Sequence, residues 1–157
     1  MTTKRRADSR QCRICHCTDA EACVTDDGPC HWIEADLCSA CAGVAIAQEI
    51  TEERLRQVEV EGYSLAHDDA HRHGELAMAA AALASFSTYS DARRRGHRPL
   101  ASPLWPAGWL FKPKDRRRDL IRAGALIVAE IERLDRQARA TIDELAGLTE
   151  DPARRAS

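Results

Sequence analysis

Cys12-Arg13-Ile14-Cys15 and Cys38-Ser39-Ala40-Cys41 are two C-x2-C pairs separated by 22 residues, and this spacing decides the fold of the N-terminal part. Two residues between cysteines let one tight turn aim both sulfurs at a single ion, so two such turns supply four thiolates in tetrahedral array. Backbone N–H groups of the turns can hydrogen-bond the sulfurs and offset their charge. The second pair runs directly into a helical pattern from Ala42. The positive end of that helix dipole therefore points at the anionic cluster. A turn, a short strand around His31-Trp32-Ile33-Glu34-Ala35 and a helix at the second turn make the layout of a treble-clef or zinc-ribbon head. The expected ion is a structural zinc at Cys12, Cys15, Cys38 and Cys41. Four thiolates close the coordination shell, which leaves no position for substrate. The competing reading is a disulfide framework, and a reducing compartment disfavours it.

All seven cysteines fall within residues 12–41. Cys17, Cys23 and Cys30 remain after the two pairs, with His31 as the fourth donor of a candidate second site; the alternative is that the three thiols are small buried residues.

Outward from the head, residues 1–11 are basic and polar without periodicity and read as a disordered arm, leaving the head at 12–43. No apolar h-region or membrane-length run is present, so the expected location is the cytoplasm. Residues 44–146 read as a helical domain and 147–157 as a frayed tail. A first helix is expected from Ala42 to about Gly62, a second from the cap Ser64 to about Ser90, and a third from about Asp115 to Leu145. Between the last two lies a loop with Pro99, Pro103, Pro106 and Pro113 and the aromatics Trp105, Trp109 and Phe111, expected to pack as a lid. Leu120, Ile127, Ile131, Leu134, Ala138, Ile142 and Leu145 form an apparent core seam on the third helix. Leu65, Leu76, Ala80, Leu83 and Ser87 do so on the second. The expected fold is thus mainly α, a small zinc head followed by a three-helix bundle with a Pro/Trp-rich loop.

Charge is uneven. Cys12 to Asp69 carries a net −10 and Arg93 to Arg122 a net +8, within a total of −2. The basic segment offers Arg93, Arg94, Arg95, Arg116, Arg117 and Arg118 as phosphate contacts; the alternative is that it pairs with the acidic half. Wheel positions place Asp69 on an apolar stripe, with Arg54, Glu75 and Glu130 at the edges of theirs. With Arg72 they form either a buried ion-pair network or a ligand site. His67 and His71, at i and i+4, could take a metal with a third donor.

The segment from Cys12-Arg13-Ile14-Cys15-His16-Cys17 through Cys38-Ser39-Ala40-Cys41 resembles a cysteine-rich head of small phage and prophage proteins. Glu53-Arg54-Leu55-Arg56-Gln57, Glu61-Gly62-Tyr63, His67-Asp68-Asp69, Gly74-Glu75-Leu76 and Phe111-Lys112-Pro113-Lys114-Asp115 through Glu130-Ile131-Glu132-Arg133-Leu134-Asp135 resemble a phage-associated helical module. The resemblance implies an accessory gene of a temperate phage or prophage in a bacterial host. The expected role is a binding or regulatory module for a protein, nucleic acid or nucleotide partner, with a homo-oligomer as one expected state. Glu49-Ile50-Thr51-Glu52 and Glu132-Arg133-Leu134-Asp135 are similar to the E-x2-E and E-x2-D patterns of all-α MazG-type nucleotide pyrophosphohydrolases, although set wider apart than in that family. That likeness implies Mg²⁺ or Mn²⁺ chemistry on nucleotides. A third reading is a protein that sequesters a nucleotide signal without chemistry.

Overall fold

The structure is a computed structural model that describes residues 10–96 and 103–149. The expected arm up to residue 9, the loop segment 97–102 with Pro99, and the tail from residue 150 lie outside the described residues. The chain is mainly helical, with two small antiparallel sheets near its N-terminus, and divides into two compact units, residues 1–49 and 50–157. No helix among the described residues is long and apolar enough to cross a membrane.

The first unit is built on two two-stranded sheets: β1 (Val24–Thr25) pairs with β2 (Gly28–Pro29), and β3 (Trp32–Glu34) with β4 (Leu37–Cys38). A 3-10 turn, Ser39–Cys41, leads into α1 (Ala42–Glu59), so the second cysteine pair does open a helix. The first pair sits in a tight loop closed by Cys12 N–H to Cys17 O and His16 N–H to Cys12 O, and His16 takes a positive φ of 62° to complete it. Arg13 ties this loop to the β3–β4 connection through Glu34 and Asp36. Arg10 and Gln11, expected in the free arm, belong to the head. Arg10 donates to the carbonyls of Ala35 and Glu34 and lies over the Trp32 ring, and Gln11 bridges to Thr18. The interior here is Cys12, Cys17, Cys38 and Cys41 with Leu37 and Ala45. Among the described residues Leu37 is its one large buried aliphatic, so the hydrophobic burial seen there cannot alone hold so small a unit.

The second unit has α2 (Leu65–Asp69), α3 (Glu75–Ser87), α4 (Asp91–Gly96) and α5 (Arg116–Thr149). The expected single helix from Ser64 to Ser90 is broken in two. Ser64 caps α2 as anticipated, its Oγ accepting from His67 N–H. Gly74, however, takes the left-handed conformation (φ 80°), which no interior helical residue adopts, and α3 starts after it.

The core between α3 and α5 is Leu76, Ala79, Ala80 and Leu83 against Ala123, Leu126 and Ala129, with Trp105, Trp109 and Phe111 packed on it as the expected lid. The seam expected on α5 is not the buried one. Leu120, Ile127, Ile131, Leu134, Ile142 and Leu145 are about half exposed, as is Leu65 on α2. Burial instead follows Asp119, Ala123, Leu126, Ala129 and Arg133. The physical reason is steric: α3 presents alanines, and a close helix–helix approach needs small residues on both sides. The polar members of that face enter with partners (below). Gly124 serves a similar approach, since a Cβ there would stand 2.9 Å from the Ile50 side chain.

Candidate functional site

In the head the loop between Cys12 and Cys17 and the β4-to-α1 turn bring sulfurs together. The thiols of Cys12, Cys15, Cys17 and Cys38 lie within 4.8 Å of one another, and so do those of Cys17, Cys23, Cys30 and Cys38. Cys15 Sγ is 3.2 Å from Cys23 Sγ and 3.7 Å from Cys38 Sγ, and Cys17 Sγ is 3.7 Å from Cys30 Sγ. Cys41 belongs to neither four-sulfur group, but its thiol interacts with those of Cys15, Cys38 and Cys12. His31, expected as a donor, is in neither group; Cys38 stands where it was expected, and the His31 backbone N–H is bound to Ser39 Oγ.

The electrostatics follow from this crowding. Burial pushes the Cys12 thiol up, but backbone N–H groups of Cys15, Cys38 and Ile14 more than offset it and leave the thiol more acidic than usual. Backbone N–H of Cys17 and the Cys23 thiol bring Cys15 down to about 6. Burial raises Cys17, Cys38 and Cys41, while the neighbouring Cys15 lifts Cys23 to about 11. So many thiols cannot ionise side by side without a cation among them, and soft sulfur donors at this spacing could hold one.

In the helical unit the candidate acids do not converge. Asp68, not Asp69, is the inward residue of α2, and its Oδ2 accepts from Arg54 Nη2 at 2.6 Å. Arg54 also reaches Glu132 at 2.9 Å. Asp69 pairs with Arg136 at 2.8 Å, Glu130 with Arg133 at 2.8 Å, and Glu75 accepts from the His73 N–H at 2.8 Å. Arg72 donates to the Asp69 carbonyl. Glu53 is buried between Arg56, Arg118 and Gln57. Burial pushes its pKa up, but these partners outweigh that and hold it below the usual carboxylate range. Among the described residues, the groups of three or more donors placed to share an ion are both made of thiols. His67 and His71 are stacked edge-on at 4.8 Å and belong to neither.

The arginine run is largely consumed within the fold. Arg94 spans the carbonyls of Phe86 and Lys114 and the carboxylate of Asp119 at 2.5 Å. Arg116 donates to the Ser87 carbonyl, Arg118 binds Glu53, and Arg93 lies over Tyr89. Arg95 and Arg117 are exposed. Sequence reasoning missed Glu53, Gln57, Asp68 and Asp119. The sequence signal for one of them is that Asp119 shares a helical stripe with Ala123 and Leu126.

Comparison with protein-family models, with curated proteins and with solved structures gives no match to this chain.

Proposed function

We propose that the chain is a zinc-structured binding or regulatory module rather than an enzyme. The observation that carries this reading is the pair of four-thiol groups sharing Cys17 and Cys38. In it, one zinc is held by Cys12, Cys15 and Cys38, with Cys41, whose thiol interacts with all three, as the fourth donor in place of Cys17, which serves the second ion. A second zinc is held by Cys17, Cys23 and Cys30, with Cys38 as the shared thiolate in place of His31. Four thiolates around each ion leave no open coordination position, so the metal builds a treble-clef-like head and does not act on substrate. Asp69, Glu75, Glu130 and Glu132 each have a partner in the fold, which favours binding over metal-assisted nucleotide hydrolysis at these acids. The partner is a protein, nucleic acid or nucleotide. A reducing bacterial cytoplasm is the compartment the free thiols suit, and the resemblance to phage accessory proteins points the same way.

The test is native mass spectrometry and metal analysis of the full chain purified without added metal. Two zinc ions per chain are expected. One ion would overturn the shared-thiolate arrangement, and none, or a disulfide at Cys12, would overturn the whole reading. Cys38→Ser should release both ions and unfold the head while most of the far-UV helical signal remains, because the helical unit has its own core.

A further inference from the structure

The helical unit contains a cavity of about 490 Å³. That volume falls within the roughly 300–1,000 Å³ of sites that take small organic molecules. Its apolar lining comes from Leu76, Leu83 and Leu126, and its aromatic lining from Trp105 and Trp109. Trp109 continues a chain of rings through His71 (4.9 Å) and His67 (4.8 Å) to Tyr63 (4.8 Å, nearly parallel). Tyr63 and His67 also line the cavity and are exposed, so molecules in solution reach it.

One buried atom there has no partner. Gln57 is 4 % exposed and lines the cavity, and its Oε1 makes no hydrogen bond. The amide cannot be turned to cure this. Nε2 donates to Glu53 Oε1 at 3.2 Å, and Glu53, gripped by Arg56 and Arg118, can only accept. Oε1 is therefore fixed as an acceptor awaiting a donor, and a buried polar atom left unmatched costs free energy unless a ligand supplies one. The charged lining leans positive: Arg54, Lys112 and Arg122 against Glu61 and Asp68. Of these cations, Arg54 is held by Asp68 and Glu132, and Arg122 by Asp119, whereas Lys112 is exposed at the mouth.

We infer that this cavity binds a small molecule with a planar heteroaromatic ring, an N–H donor in or attached to that ring and one anionic group. The ring packs against Trp105 and Trp109, its N–H meets Gln57 Oε1, and the anion meets Lys112 and Arg122. This rests on the reading of the chain as a binding module but not on the zinc: its residues all lie in the helical unit, while the metal donors all lie in the head.

The experiment is isothermal titration of the full-length, metal-loaded chain with five probes: AMP, GMP, CMP, UMP and indole-3-acetate. Inorganic phosphate and the uncharged nucleosides serve as the anion-only and ring-only arms. Micromolar binding of at least one of the five is expected, with phosphate silent and the matching nucleoside weaker. Gln57→Leu should weaken that probe about tenfold, the cost of leaving its donor unmatched. Lys112→Ala, an exposed change that spares the fold, should reduce the preference for the charged probe over its nucleoside severalfold, with Arg122 retaining the rest. No binding by any of the five at millimolar concentration would overturn the proposal. So would phosphate binding as tightly as the nucleotides, or affinity unmoved in both variants. Failure here with two zinc ions bound would leave the metal reading intact, and the reverse holds equally.

Discussion

Replacing Asp119 by alanine tests whether the basic segment is part of the interior or a surface for phosphate. Asp119 is 0 % exposed and, among the described residues, accepts hydrogen bonds from Arg94 at 2.5 Å, from Lys114 N–H at 3.0 Å and from Arg122 at 3.0 Å. Breaking a buried ion pair by removing one partner costs about 3–5 kcal/mol. Arg94 retains two acceptors, the carbonyls of Phe86 and Lys114, and its stack on the Phe86 ring. Arg122 is partly solvated. The low end applies, so Asp119→Ala should cost about 3 kcal/mol, equivalent to a fall in Tm of roughly 10–15 °C for a unit of this size. Arg94→Ala should behave similarly, because it leaves the carboxylate buried with one cation fewer. The paired change Arg94→Met with Asp119→Leu should recover part of the loss, since it removes both charges and keeps volume. Urea unfolding of the metal-loaded protein, followed by far-UV circular dichroism, measures all three. Arg95→Ala is the control, an exposed change expected within about 0.5 kcal/mol of the parent. If Asp119→Ala also fell within that margin, Asp119 and Arg94 would be surface residues in solution and the ion-paired interior described above would be wrong.

Two further outcomes follow from the same packing. Leu126→Ala, on the buried face of α5, should cost about 2–3 kcal/mol, whereas Leu134→Ala on the half-exposed seam should cost less than about 1 kcal/mol; equal costs in urea unfolding would mean that α5 is rotated from its described register. Glu53 is held below its ordinary pKa in the fold, so its contribution is complete above the unfolded value of about 4.3 and is lost as pH falls through the lower folded value. Unfolding measured in acid steps should show stability dropping across that window, and Glu53→Gln should flatten the drop.

The head was legible because its signal is chemical rather than statistical. Two C-x2-C pairs admit few geometries, and the sulfurs do cluster, with α1 starting at the second pair. What spacing could not show is how the three remaining cysteines attach. Cys38, already assigned to one group, also stands within reach of Cys17, Cys23 and Cys30, and sharing of a donor has no sequence signature.

In the helical unit a hydrophobicity wheel points the wrong way for a physical reason. It ranks faces by transfer free energy and so selects Leu120, Ile127, Ile131 and Leu134 as the inner stripe of α5. The neighbouring helix decides otherwise. With Ala79 and Ala80 facing it, α5 gains most by presenting Ala123 and Ala129, where backbones approach and many small contacts form. The cost is that Asp119 and Arg133 ride inward on the same face, and each is matched by a residue named from position alone only with difficulty: Arg94 from α4 for one, Glu130 a turn away for the other. The same logic buries Glu53, Arg54 and Asp68. An interior specified by ion pairs rather than bulk fixes which helix faces meet, because any rotation strands a charge. It also leaves room that large side chains would have filled, and the cavity beside Gln57, between the leucines of the core and the tryptophans of the lid, is that room.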